Sequence, residues 1–156
     1  MTDLYLVRHA KAEPAVPDSE RPLSRTGRRQ ADNLARWLGD IGVEVDRIEH
    51  SPLVRARETA ERLAGVLQRD LREREDLRPG SDIGRLVRRL RDEVGSGVLL
   101  VGHNPGIERL AHLLTVDTQT DHPSLIFHTA SVARLVPLEG SRYACDWLVR
   151  PNLLQG

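Results

Sequence analysis

Cysteine is nearly missing from this chain. Cys145 stands alone in 156 residues, which excludes an intrachain disulfide and leads us to expect a reducing compartment. No apolar run approaches the length of a membrane span, and the opening MTDLYLVRHA holds an acid, Asp3, and too short an apolar stretch for a signal peptide. Net charge is also lacking: 23 Lys plus Arg balance 23 Asp plus Glu, so no general attraction to nucleic acid or a membrane surface is expected. Lysine is confined to Lys11; arginine supplies the other cations, a bias that genome composition explains without function. Repeats, low-complexity tracts and long linkers are absent. The expectation is one cytoplasmic domain over 1–156, monomeric, and long enough to bury a core without a covalent staple.

What is present alternates between strand and helix patterns. Residues 3–8 read as a buried strand, and 14–24, with three prolines, as a loop. From Thr26, Ala31, Leu34, Ala35 and Leu38 recur at helical spacing, with Gly39 or Gly42 as the stop. A short strand at 47–51 precedes Ser51-Pro52, which reads as a cap followed by proline at the first helical position. The segment 71–81 reads as irregular. Asp82 is placed to cap a third helix, and Val98–Val101 forms a second apolar strand. Asn104-Pro105 reads as another cap and helix start. Strands at 130–138 and 143–150, split by Glu139-Gly140-Ser141, read as a hairpin. Apolar strands alternating with helices predict an α/β fold with a mostly parallel sheet covered on both faces.

In such a sheet the ligand crevice lies beyond the C-terminal strand ends. Arg8, His9 and His103 fall at those ends, and Arg55 opens the helix after another. A metal site fits this set poorly. There is no HExxH, no carboxylate adjoins His9 or His103, and Arg8 and Lys11 would repel a cation. A phosphate loop of the GxxxxGK[ST] kind is missing as well. The same cations attract an anion: guanidinium forks match phosphate oxygens in pairs, and helix N-termini add donors. Imidazoles inside a phosphate pocket point to phosphoryl transfer through histidine itself.

Three stretches carry a resemblance. LVRHA at the first strand, SPLVRARETA at 51–60 and VGHNPG at 101–106 resemble, in this order, the signatures of the histidine phosphatase superfamily. RHAKAE, RPLSRTGRRQA and GHNPGIE are similar to its small SixA-type phosphohistidine phosphatase branch, over about Leu4 to Pro151. The resemblance implies a three-layer α/β sandwich of the phosphoglycerate-mutase-like kind, a mixed sheet flanked by helices. It implies no cofactor and no metal. It assigns His9 as nucleophile, Arg8 and Arg55 as phosphoryl clamps, His103 as a further donor and Arg21 as a third arginine from the loop. Lys11 is expected at the rim. Ala10 stands where the family usually has glycine, a change of one methyl group.

The general acid of ester-cleaving members would come from EREDLRPGSD, where Asp76, with Glu75 beside it, is the nearest match for a proton donor. A weak acid suits a P–N bond, because imidazole departs neutral once its other nitrogen is protonated. A short chain with no large cap leaves the pocket open to a protein-borne group. The expected substrate is therefore phosphohistidine on a histidine phosphotransfer or carrier domain, with phosphate-like anions as pocket ligands. A small-molecule phosphomonoesterase or mutase, and a phospho-partner binding module without turnover, are the rival readings. Arg57, His50, His112, His122 and His128 are read as structural or surface residues. RRLRDE at 88–93 is read as an exposed helix face, and Trp37 and Trp147 as core or boundary.

Overall fold

In the computed structural model, residues 1–116 and 122–154 are described. Six strands make one sheet: β1 (Leu4–Arg8), β2 (Arg47–His50), β3 (Leu71–Glu73), β4 (Val98–Gly102), β5 (Val132–Pro137) and β6 (Tyr143–Val149). Their order is β3-β2-β4-β1-β5-β6. The first four are parallel neighbours, while β5 runs antiparallel to β1 and β6 antiparallel to β5. Four helices flank the sheet: α1 (Arg25–Asp40), α2 (Val54–Leu67), α3 (Ile83–Arg91) and α4 (Gly106–Thr115). The expected α/β sandwich is thus the observed architecture.

The core lies in two sheets of contact, one on each side. Tyr5, Val7, Ile48, Leu99 and Val101 face α1 and α2, whose Leu34, Leu38, Ala60 and Leu63 pack on them. Leu4, Leu6, Val98 and Leu100 face the other way, onto Leu86 and Leu90 of α3 and Leu110 and Leu114 of α4. This two-sided burial explains why β1 and β4 are apolar throughout rather than alternating. Each such side chain contributes about 1.5–3 kcal/mol. No helix among the described residues is long and apolar enough to cross a membrane.

Several local expectations shift. Ser24, not recognised in the sequence, caps α1 by accepting from the Gly27 amide at 3.0 Å. Neither of the proline-marked starts is capped as read. After Ser51-Pro52 the chain stays extended through Leu53 and α2 begins at Val54; Leu53 offers no side-chain cap. At α4 the boundary residue is Pro105, and the Asn104 amide donates instead to the Phe127 carbonyl at 3.0 Å. Asp82 does cap α3, accepting from the Arg85 amide. Within 71–81 a three-residue strand pairs with β2, held by backbone bonding with no apolar run to announce it. The 88–93 stretch is not simply an exposed face: Arg89 and Glu93 turn toward the sheet, where Arg89 binds the fully buried Glu49.

Candidate active site

Parallel register brings three strand ends to one level. Arg8 pairs with Gly102 and His50 with Val101, so the residues that follow, His9, Ser51 and His103, emerge side by side. The His9 amide donates to the Gly102 carbonyl at 3.0 Å and the Ser51 amide to Val101 at 3.1 Å, extending the ladder one step past the strands. The N-termini of α2 and α4 open at the same edge, as the sequence pattern predicts.

The two imidazoles face each other with centroids 5.1 Å apart, and both are buried. The His9 Nδ1 lies 2.7 Å from the Ala10 carbonyl. A carbonyl only accepts, so Nδ1 holds the proton and Nε2 keeps its lone pair. Burial first, then the charges of Arg55, Arg8 and Arg21, pull His9 down to about 4, while the Ala10 hydrogen bond acts the other way. His103 is pulled down to about 3, again chiefly by burial, then by His9 and Arg55. Both rings are neutral near pH 7. For both rings burial outweighs the neighbouring arginines as the cause.

His103 Nε2 sits 2.8 Å from the Ser51 hydroxyl, and its Nδ1 is buried without a protein partner. Arg55 is buried on α2 and donates to Asp18 twice, to its carbonyl at 2.9 Å and its carboxylate at 3.1 Å. Arg21 donates to the Glu13 carbonyl and to the other oxygen of Asp18. Arg8 donates to the Phe127 carbonyl at 3.0 Å; burial lowers it and the charge of Glu108 raises it, with a net downward shift. The Nε atoms of Arg8 and Arg55 are buried and unpartnered, like His103 Nδ1. Donors left over at one sheet edge are what an anion with several oxygens would satisfy.

The expected His9, Arg8, Arg55 and His103 therefore share one edge, and Arg21 joins them through Asp18. Lys11 is exposed, with its backbone tied to Gln30 and Ser24. Arg57 is the solvated helix residue expected, paired with Glu61. Asp76 lines a small cavity together with Gly102 and His103. Its carboxylate accepts from Arg89 at 2.8 Å and from Arg74 at 3.5 Å. Burial by itself would raise it, but the hydrogen bonds and charges of Arg89 and then Arg74 leave it below the usual carboxylate range. Glu75 is paired with Arg78. Among the described residues no three His, Cys, Asp or Glu side chains gather as a metal site.

Asp18, Ser51 and Thr59 went unrecognised in the sequence. Thr59 ties α2 to the His9 loop, its hydroxyl donating to the Arg55 carbonyl and accepting from the Ala10 amide. Asp18 and Arg21 at i, i+3 in a proline-flanked turn carried a faint pairing signal. Ser51 looked like an ordinary helix cap, and nothing local tied it to a histidine 52 residues away.

The comparisons with known proteins agree with this geometry. Residues 4–81 match the family described as the histidine phosphatase superfamily, branch 1. The phosphohistidine phosphatase SixA of Escherichia coli is 27% identical over 154 residues, covering 95% of this chain and 93% of that protein. An uncharacterised protein of Picosynechococcus sp. is 31% identical over 127 residues, 77% of this chain and 76% of its own. A solved structure of the protein histidine phosphatase SixA complexed with tungstate superposes with a TM-score of 0.89 at 26% identity, over 99% of this chain and 100% of that one. Strand-end histidines and arginine forks in this chain, together with near-complete coverage of its relatives, lead to one conclusion: the chain belongs to the histidine phosphatase superfamily, in its SixA-type branch.

Proposed function

We propose that the protein is a phosphatase that dephosphorylates phosphohistidine on a partner protein, through a covalent intermediate on His9. The observation that carries this reading is the state of His9: a buried, neutral ring whose Nδ1–H is spent on Ala10, leaving Nε2 nucleophilic among guanidinium groups. Its Nε2 attacks phosphorus as the P–N bond to the substrate imidazole breaks. The bonding pair returns to the substrate nitrogen, and the substrate leaves neutral because its other nitrogen carries a proton. One P–N bond replaces another. Water then attacks the phosphoryl group on His9; both water protons leave with phosphate, and the electron pair returns to Nε2.

Arg8, Arg55 and Arg21 serve as cations for the equatorial oxygens, and His103 as a further donor. Ser51 supports that last role. If its hydroxyl donates to Nε2, the proton of His103 sits on the unpartnered Nδ1, where it is available to the substrate. Asp18 positions two of the arginines. The ionised, arginine-bound state of Asp76 favours a leaving group that needs no delivered proton, hence P–N over P–O cleavage.

Incubation with a phosphohistidine-bearing carrier, without added metal, is expected to place an acid-labile phosphoryl label on His9 and to release phosphate. His9→Asn should abolish the label, and tungstate should compete. Rapid turnover of sugar phosphates with none of the phosphocarrier would overturn the reading.

A further inference from the structure

A second feature lies beside the site. A trough of about 320 Å³ runs between the first turns of α1 and the segment leaving β6. Arg29, Gln30 and Asn33 form one wall, with His128 and, after the sheet, Arg150 and Asn152 on the other. No carboxylate lines it. The chain as a whole is neutral, and many arginines are matched with acids: Arg47, Arg62, Arg78, Arg89 and Arg134 all form ion pairs. Arg29 and Arg150 are exposed and have no ion pair or side-chain hydrogen bond among the described residues. Positive charge is therefore uncompensated in this trough.

Its walls are fastened to the backbone around the candidate nucleophile. Gln30 accepts from the Lys11 amide at 3.0 Å. The Ala130 amide reaches the carbonyls of Arg8 and His9 at 2.9 and 3.1 Å, and Ser131 closes the turn on His128 in both directions. Whatever lies in the trough is held in fixed register with His9. Its donors are guanidinium, amide and imidazole groups, and its lining is more polar than apolar. Such a lining suits carboxylates that remain partly hydrated.

Resting on the reading of the protein as a phosphohistidine phosphatase, we propose that this trough docks an acidic segment of the partner protein beside its phosphohistidine. Charge complementarity at such a rim speeds encounter and selects partners more than it strengthens the final complex. The substrate protein would be recognised at two points: the phosphoryl group among Arg8, Arg55 and Arg21, and acidic side chains at Arg29 and Arg150.

The test compares wild type with Arg29→Glu/Arg150→Glu, both exposed sites, after melting curves establish equal folding. The substrates are a phosphorylated acidic carrier protein and phosphoramidate. The expected result is a KM for the carrier raised about tenfold, a weaker salt dependence of kcat/KM, and phosphoramidate turnover within about twofold of wild type. An unchanged carrier KM overturns the docking site alone. So does an equal loss on both substrates. A wild type that turns over phosphoramidate but not the carrier overturns the phosphohistidine-protein reading, and the docking site with it.

Discussion

His9 is an ordinary imidazole placed in an unusual spot, and its titration tests the site most directly. Its nitrogen and carbon resonances should remain those of the neutral ring until the pH falls to about 4; a midpoint near the usual 6.5 contradicts the buried pocket. The sign for stability follows. Between about pH 6.5 and 4 the unfolded chain binds a proton that the folded ring refuses, so stability falls as pH falls through that window. For His9 the loss amounts to about 3 kcal/mol by pH 4, visible in urea unfolding and flattened in His9→Asn. Asp76 offers the converse test. With its carboxylate already held by Arg89 and Arg74, Asp76→Asn should leave phosphohistidine turnover within about threefold of wild type. A loss of about a hundredfold is what removing a general acid costs, and would assign Asp76 that role.

At the level of elements, α1 meets the His9 loop backbone to backbone. A Cβ on Gly27 would stand 1.8 Å from the Lys11 carbonyl oxygen and 2.8 Å from its carbon. No flexible side chain there can yield. On an open helix face Gly→Ala adds up to about 1 kcal/mol of stability. Gly27→Ala should instead cost about 1–3 kcal/mol, measured by the urea midpoint, and should lower turnover because the segment after His9 must move. A stabilised variant with full activity would show that α1 does not position that loop.

Across the whole molecule the most exposed dependency is a charge cluster beneath the sheet. Glu49 on β2 is fully buried and accepts from Arg47 at 2.9 Å and from Arg89 at 2.8 Å. Arg89 also binds Asp76, and Arg47 also pairs with Glu93. These bonds tie β2, the turn before α3 and α3 itself into one unit. Arg89→Leu would leave a buried carboxylate with one partner, and a loss of about 3 kcal/mol is expected in denaturant unfolding. An unchanged midpoint would mean that Arg47 alone, or water, suffices for Glu49.

Much of this architecture was legible because the signals are local or periodic. Apolar runs at Leu4–Val7 and Val98–Val101 declare strands buried on both faces, and RHA, SPLVRA and GHNPG place the candidate side chains near strand ends. Those patterns by themselves determined the fold class and nominated His9, Arg8, Arg55 and His103 as the candidate set. Only the tertiary structure decided what the rest do. Ser51 became a partner of His103 instead of a helix cap, Asp76 a partner of Arg89, and Arg89 a counter-charge for Glu49, because each pairing joins residues far apart in the chain. The depth of His9 was likewise decided by packing. A ring's protonation depends on how much water the assembled elements remove from around it, and no local spacing encodes that quantity.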